Sequence, residues 1–181
     1  MPSVRPGRSG VRPADIETWF ADLGIEPRER ADRDSVASWD LVVDGRRRFD
    51  LRITVILEPE LGLICWAHYA PPINDSFRRS YRKLLRWNDE IPFAKFSVAE
   101  DERPVLAVEL GVDRLDADAL GLALTRIIGI ADALFEESTE WLWIGGRVPD
   151  QSERRSRNEV LIRRFADRLP ELFPRTPAGT P

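Results

Sequence analysis

The residues best suited to chemistry are Cys65 and His68, the single cysteine and the single histidine of the sequence. A thiol and an imidazole this close along the chain would suit a thiolate with its base, or half of a zinc site. The apolar run around them predicts a β-strand, on which residues three apart point to opposite faces. The two side chains therefore cannot act together. We expect Cys65 to be a buried residue with an inert thiol, and we expect no bound metal.

The sequence offers no other catalytic pattern. It contains no glycine-rich phosphate-binding motif, and Gly7–Gly10 lacks the spacing of a nucleophile elbow. The acids of 99–103 and 113–118 suit a turn and a helix start better than a pair of catalytic carboxylates. We therefore expect a protein without enzymatic activity and without a cofactor.

Charge is unevenly distributed along the chain. The net charge of −4 over 181 residues is too small to imply nucleic acid or membrane as a partner. Residues 99–140 nevertheless hold eleven acids against three arginines, whereas residues 78–86 hold only basic charges. The basic residues are Arg78, Arg79, Arg82, Lys83 and Arg86. Such a separation favours self-association or a charged partner.

The sequence also predicts where the protein resides. A single cysteine permits no internal disulfide, which fits a reducing cytoplasm. No stretch approaches the roughly eighteen apolar residues that a membrane helix needs. The first thirteen residues carry no apolar run of a signal peptide. We expect a cytoplasmic protein.

Periodicity predicts the first elements. Residues 1–12 are typical of a disordered tail, and apolar residues at helical spacing predict a helix over 13–23. The charged residues 25–35 lack periodicity and predict a loop. Alternation then predicts three antiparallel strands, over 39–43, 49–57 and 63–69. The dipeptide Asp44-Gly45 predicts a tight two-residue hairpin between the first two.

A second helix and two further strands follow. The helix is predicted from a cap at 74–76 to Ile91, because the residue before a proline avoids helical geometry. Its apolar side is predicted to hold Phe77, Tyr81, Leu84, Leu85 and Asn88. Strands are predicted over 94–98 and 105–110.

The last elements are helical. The longest apolar periodicity predicts a helix over 116–137, capped by Asp116. A further helix is predicted over 153–169. The order α-β-β-β-α-β-β-α plus an extra C-terminal helix predicts an α+β fold, with a five-stranded antiparallel sheet covered on one face by the helices 13–23 and 116–137.

This element order and the stretch LLRWNDEIPFAKF, residues 84–96, together resemble the YbjN family, whose fold is similar to that of type III secretion chaperones. In that family a helix ends in a leucine pair followed by an asparagine, and a proline and an aromatic–small–aromatic strand come next. The matching residues here are Leu84, Leu85, Asn88, Pro92, Phe93, Ala94 and Phe96. The resemblance covers about 13–138. We therefore divide the chain into a tail (1–12), a YbjN-like domain (13–145) and a C-terminal helical extension with its own tail (146–181).

This resemblance implies a chaperone-like or regulatory module that binds protein or peptide clients without catalysis, often as a homodimer. The basic helix 78–86 supports an alternative, a nucleic-acid-linked regulator. The residues predicted to form a partner-binding surface are Arg78, Arg79, Arg82, Trp141, Trp143 and Phe165.

The C-terminal extension admits two hypotheses. Its apolar stripe of Leu161, Ile162, Phe165 and Leu169 must be buried somewhere, since an isolated helix of this length is marginal in water. The stripe either extends the core of its own chain or covers the surface on which related domains would hold a client. In the second case Gly145-Gly146 would supply a hinge.

Overall fold

A computed structural model of the protein describes residues 10–73, 78–142 and 154–173. The chain forms an antiparallel sheet with helices packed on one face. The helices are α1 (Pro13–Asp22), α2 (Arg78–Glu90), α3 (Ala117–Ala133), α4 (Phe135–Leu142) and α5 (Glu159–Phe165), with 3-10 turns at Val112–Arg114 and Ala166–Arg168. The strands are β1 (Glu29–Arg33), β2 (Val36–Val43), β3 (Leu51–Glu58), β4 (Gly62–His68), β5 (Lys95–Val98) and β6 (Pro104–Gly111).

The sheet has six strands in the order β1-β2-β3-β4-β6-β5, so the prediction of five strands was wrong. The additional strand β1 lies within the predicted loop 25–35 and pairs with β2 from Glu29 to Arg33. All five of its side chains are exposed, so it carries no apolar alternation. Its turn, Asp34-Ser35, has positive φ at both residues and makes the tight hairpin that matches strand twist.

The connection between β2 and β3 is the loop Asp44–Asp50, and the predicted two-residue hairpin at Asp44-Gly45 was wrong. The loop wraps around the carboxylate of Asp132, which lies in the last turn of α3. A side chain at position 45 would clash with Asp132, because a Cβ on Gly45 would lie 2.1 Å from Asp132 Oδ1. The predicted strand residue Phe49 is buried within this loop, ahead of β3.

The core lies between the helices and one face of the sheet. Leu51, Ile53, Val55 and Leu57 of β3 are all buried, which confirms the predicted apolar face. The helix α3 packs on β6 and β4, and α1 packs against α3. Asp116 caps α3 as predicted, because its Oδ1 accepts the N–H of Ala119 at 2.7 Å.

Two helices differ from their predictions. The predicted helix 116–137 is interrupted at Leu134, where α3 ends and α4 begins. On α2, Leu84 is buried but Leu85 is 68% exposed. Trp87 is buried instead, in an aromatic cluster with Tyr69 and Phe96 whose ring centroids lie 5.2–6.3 Å apart.

The C-terminal segment, residues 154–173, packs onto the same core. Leu161, Ile162, Phe165 and Leu169 are buried, and α5 lies against α3. No helix in the described part of the chain is long and apolar enough to cross a bilayer.

Candidate functional site

The two residues best suited to chemistry lie on opposite faces of β4, as predicted. Cys65 is fully buried, and desolvation raises the pKa of its thiol to about 12, so the nucleophilic thiolate is scarce at neutral pH. Burial and the positive charges of Arg103 and Arg52 lower the pKa of His68 below 6.5, although Asp40 and Asp101 oppose them. Within the ranges that the structure describes, no three His, Cys, Asp or Glu residues are placed to hold a metal ion.

The residues predicted to bind a partner lie on different elements. Arg82 is exposed on α2, which packs on β5. Phe165 is buried between α5 and α3, so it is not part of an open surface in this conformation. The remaining positions are only partly described. Arg78 and Arg79 begin α2 and Trp141 lies in α4, but their side chains, like all of Trp143, lie outside the described residues.

The basic cluster of α2 is partly neutralised within its own chain. Lys83 Nζ lies 2.6 Å from Glu137 Oε1, which belongs to the acidic region 99–140. The two opposite patches that the sequence predicted therefore meet at α2 and α4. Arg82 and Arg86 remain exposed on α2.

A groove along α3 is a surface that the sequence did not predict. We define the α3 groove by Gly121 and Gly129, two turns apart on one side of the helix, together with Leu23 after α1. The ring of Phe165 lies directly over Gly121, where a Cβ would meet it at 2.5 Å. The ring of Phe173 lies over Gly129, where a Cβ would meet it at 2.8 Å. The groove therefore accommodates two aromatic rings only because α3 lacks side chains at these positions.

Ion pairs fasten the start of the C-terminal segment to the loop 44–50. Arg157 Nε donates to Asp44 Oδ2 at 2.7 Å, and its Nη2 donates to Asp50 Oδ1 at 2.6 Å. Arg154 forms a second, bidentate pair with Asp50. The hydrogen bond from Arg154, helped by Arg157, lowers the pKa of Asp50 below its ordinary value. Charge-assisted pairs of this kind also fix the orientation of the segment.

Buried polar contacts also hold the same end of the segment. The carboxylate of Asp44 is almost fully buried, and the backbone N–H of Asp44 donates to Asn158 Oδ1 at 2.7 Å. Ser156 Oγ donates to the carbonyl oxygen of Asp44 at 2.9 Å. These contacts join residues more than 100 positions apart in sequence, so no local pattern could have predicted them.

Further ion pairs lie along the rest of the segment. Arg46 bonds Glu159 at 3.1 Å, Arg126 bonds Glu171 at 3.1 Å, and Arg168 bonds Asp118. Burial opposes ionisation of Glu159, but hydrogen bonds from Arg46 and Arg163 lower its pKa overall. The arrangement is that of an apolar groove with charged rims, which suits the binding of an amphipathic helix.

Comparison with known proteins indicates the family to which the chain belongs. A search of curated proteins finds no match. A family model, described as "Putative bacterial sensory transduction regulator", matches residues 12–140, which is more than two thirds of the chain. The match includes α1, the sheet and the whole of α3, and it ends before the segment that fills the α3 groove. The chain therefore belongs to the YbjN family.

Proposed function

We propose that the protein is a non-enzymatic regulatory adaptor that binds a helical segment of a client protein in the α3 groove. The C-terminal segment 154–173 is then the resident occupant of this groove, and a client takes its place. The observation that carries the proposal is the position of the segment. It lies outside the family-matched residues 12–140, yet it fills an apolar groove that belongs to them.

The size of the buried surface determines what kind of client could compete. Four large apolar side chains of the segment are buried, and each contributes roughly 1.5–3 kcal/mol of burial free energy. This gross gain is comparable to the total stability of an ordinary domain, about 5–15 kcal/mol. Simple opening into water is therefore unfavourable. A client must present a similar apolar helix, and the binding event is an exchange of one helix for another.

The test separates the domain from its occupant. The chain lacking residues 147–181 is mixed with a fluorescently labelled peptide covering 154–173, and binding is measured by anisotropy. We expect the truncated domain to bind this peptide and to bind a hydrophobic dye more strongly than the full chain does. A peptide with Phe165→Asp serves as the control, because a carboxylate over Gly121 would be buried without a partner.

Two results would contradict the proposal. If the truncated chain unfolds and stays unfolded when the peptide is added, the segment is an integral part of the core. If the truncated chain is folded but takes up neither peptide nor dye, the α3 groove is not a binding surface.

Three further properties belong to the same proposal. We place the adaptor in the cytoplasm, which suits its single cysteine. The resemblance of its sequence to proteins with a type III secretion chaperone-like fold supports a chaperone-like way of holding clients. The opposite charges of α2 and the region 99–140 support assembly as a homodimer.

A further inference from the structure

Strand β6 extends beyond its neighbour on one side of the sheet. It pairs with β4 from Val105 to Gly111, but β5 pairs only with the part from Pro104 to Ala107. The last four residues of β6, Val108–Gly111, therefore have a strand on one side only. We call this stretch the β6 edge.

The hydrogen-bond pattern shows which groups the β6 edge presents. Asn88 bonds both backbone groups of Phe96, accepting from its N–H at 2.5 Å and donating to its carbonyl oxygen at 3.0 Å. Phe96 therefore points its backbone groups away from β6, and alternation along an antiparallel ladder turns those of Ala107 towards β5. The same alternation turns Glu109 and Gly111 to that side, beyond the end of β5.

A second hydrogen bond shows independently which residues of β6 face β4 and which face β5. The carbonyl oxygen of Pro104 accepts from Tyr69 N–H at 3.0 Å on the β4 side, so even-numbered residues of β6 face β4. Among the described residues, no backbone hydrogen bond reaches Glu109 or Gly111 from the β5 side. Two residues thus present a ready template for another strand.

The gap exists because the chain turns away at Phe93. This residue has a φ of 60°, which is uncommon and costly for a bulky side chain, and its ring is 80% exposed. The guanidinium of Arg126 lies 5.3 Å from the ring centroid, and its Nη1 donates to the carbonyl oxygen of Pro92 at 3.4 Å. Arg126 therefore holds the loop away from the line that β5 would otherwise follow.

A groove of about 860 Å³ lies along the β6 edge. Leu110, Leu122 and Ala123 contribute apolar surface to it, and Ile91 and Ala94 line it from the loop before β5. A four-residue edge is too small for a stable interface between folded copies, which needs roughly 1,000 Å² or more. A single extended chain is the occupant that fits.

We propose that the β6 edge binds an extended peptide segment of a partner protein, which adds to the sheet antiparallel to β6 and in line with β5. The peptide backbone forms hydrogen bonds with the backbone groups of Glu109 and Gly111. Residues opposite Val108 and Leu110 point towards α3 and are apolar. The residue between them lies beside the exposed carboxylate of Glu109, which Lys95 Nζ already approaches at 3.4 Å, and it is basic, because opposite charges on directly paired residues attract. The preferred motif is apolar–basic–apolar.

The backbone groups of the β6 edge are not part of the α3 groove, so either proposal can fail alone, although Arg168 of the C-terminal segment lines the cavity beside the edge. Its test uses the full chain and a fluorescent octapeptide with a central Val-Lys-Val. Backbone N-methylation is moved along the peptide one residue at a time. We expect methylation of the lysine, which lies opposite Glu109, to weaken binding about three- to tenfold, and methylation of either valine to change it little. Equal losses at successive positions would overturn the proposal.

A matched pair of protein variants tests the same bonds from the other side. Gly111 has a φ of −66°, which proline adopts without strain, and its Cβ position is open. Gly111→Pro removes the N–H, whereas Gly111→Ala retains it. We expect about three- to tenfold weaker peptide binding for Gly111→Pro than for Gly111→Ala. Equal affinities, or no binding of the octapeptide to the unmodified chain up to about 1 mM, would also overturn the proposal.

Charge reversal supplies the specificity test. Glu109→Lys is expected to weaken binding of the Val-Lys-Val peptide and to strengthen binding of the corresponding Val-Glu-Val peptide. Affinities for the two peptides that do not change with the charge at position 109 would contradict the assigned register.

Discussion

At the scale of single residues, Asp132 fixes the conformation of the loop 44–50, and the C-terminal segment binds to that loop. Its carboxylate accepts three consecutive backbone N–H groups, from Arg46, Arg47 and Arg48, at 2.7, 2.9 and 2.8 Å. An acid in the last turn of a helix interacts unfavourably with the helix dipole. The three hydrogen bonds offset that cost, because a carboxylate accepting several amides is strongly stabilised.

Replacing the carboxylate of Asp132 should lower the stability of the protein. Asp132→Ala leaves three backbone amides without a hydrogen-bond acceptor. Each partly buried N–H group that loses its acceptor lowers the free energy of unfolding by about 1–3 kcal/mol. We expect a loss of about 3 kcal/mol or more in the free energy of unfolding, measured by urea denaturation. Asp89→Ala, at an exposed position of α2, is the control and should stay within about 0.5 kcal/mol of the unmodified protein. A loss below about 1 kcal/mol for Asp132→Ala would show that the loop finds other acceptors.

At the scale of elements, the C-terminal segment combines a buried apolar stripe with ion pairs that respond to pH. Hydrogen bonds from Arg154 and Arg157 lower the pKa of Asp50 below its ordinary value of 3.8. Because the folded-state pKa is lowered, the stabilisation is complete above the ordinary value. It is lost as pH falls through the lowered pKa. The pairs therefore add to the stability of the packed segment at neutral pH, and this contribution is lost in acid.

The variant Asp50→Asn tests this direction of the pH dependence. Asn tolerates the left-handed backbone that Asp50 adopts at a φ of 53°, so the substitution removes charge without adding strain. Because the pair is half exposed, we expect a loss of no more than about 1 kcal/mol at pH 7. The difference from the unmodified protein should shrink as the pH falls from the ordinary value of 3.8 through the lowered pKa of Asp50. Urea midpoints at pH 7 and along this acidic range measure it, and a difference that does not shrink in acid would refute the assignment.

At the scale of the whole molecule, opposite charges on α2 and the region 99–140 favour a homodimer. Part of this attraction is already satisfied within one chain, because Lys83 bonds Glu137. We expect light scattering at tens of micromolar, about the range in which weak dimers form, to give twice the 20.7 kDa mass of the chain. The dimer should weaken as salt screens the charges. A monomer at this concentration and low salt would rule out the proposed assembly.

Local periodicity in the sequence was sufficient to predict several elements. The apolar alternation of β3, the helical period of α3 and the cap at Asp116 each involve side chains within a few residues of one another, so the pattern and its cause lie together. The motif around Asn88 is equally local, and together with the order of the predicted elements it indicated the family. Strand β1 was missed because its exposed, charged residues form a strand only through pairing with β2.

The surfaces proposed to carry function depend instead on tertiary contacts. The α3 groove depends on Gly121 and Gly129 facing two rings that lie more than 40 residues away. The loop 44–50 depends on Asp132, and the β6 edge depends on where a neighbouring strand ends. Each of these features is a contact between distant parts of the chain. The free energy of such a contact is realised only after the sheet and helices have packed, and for that reason no local sequence pattern contains it.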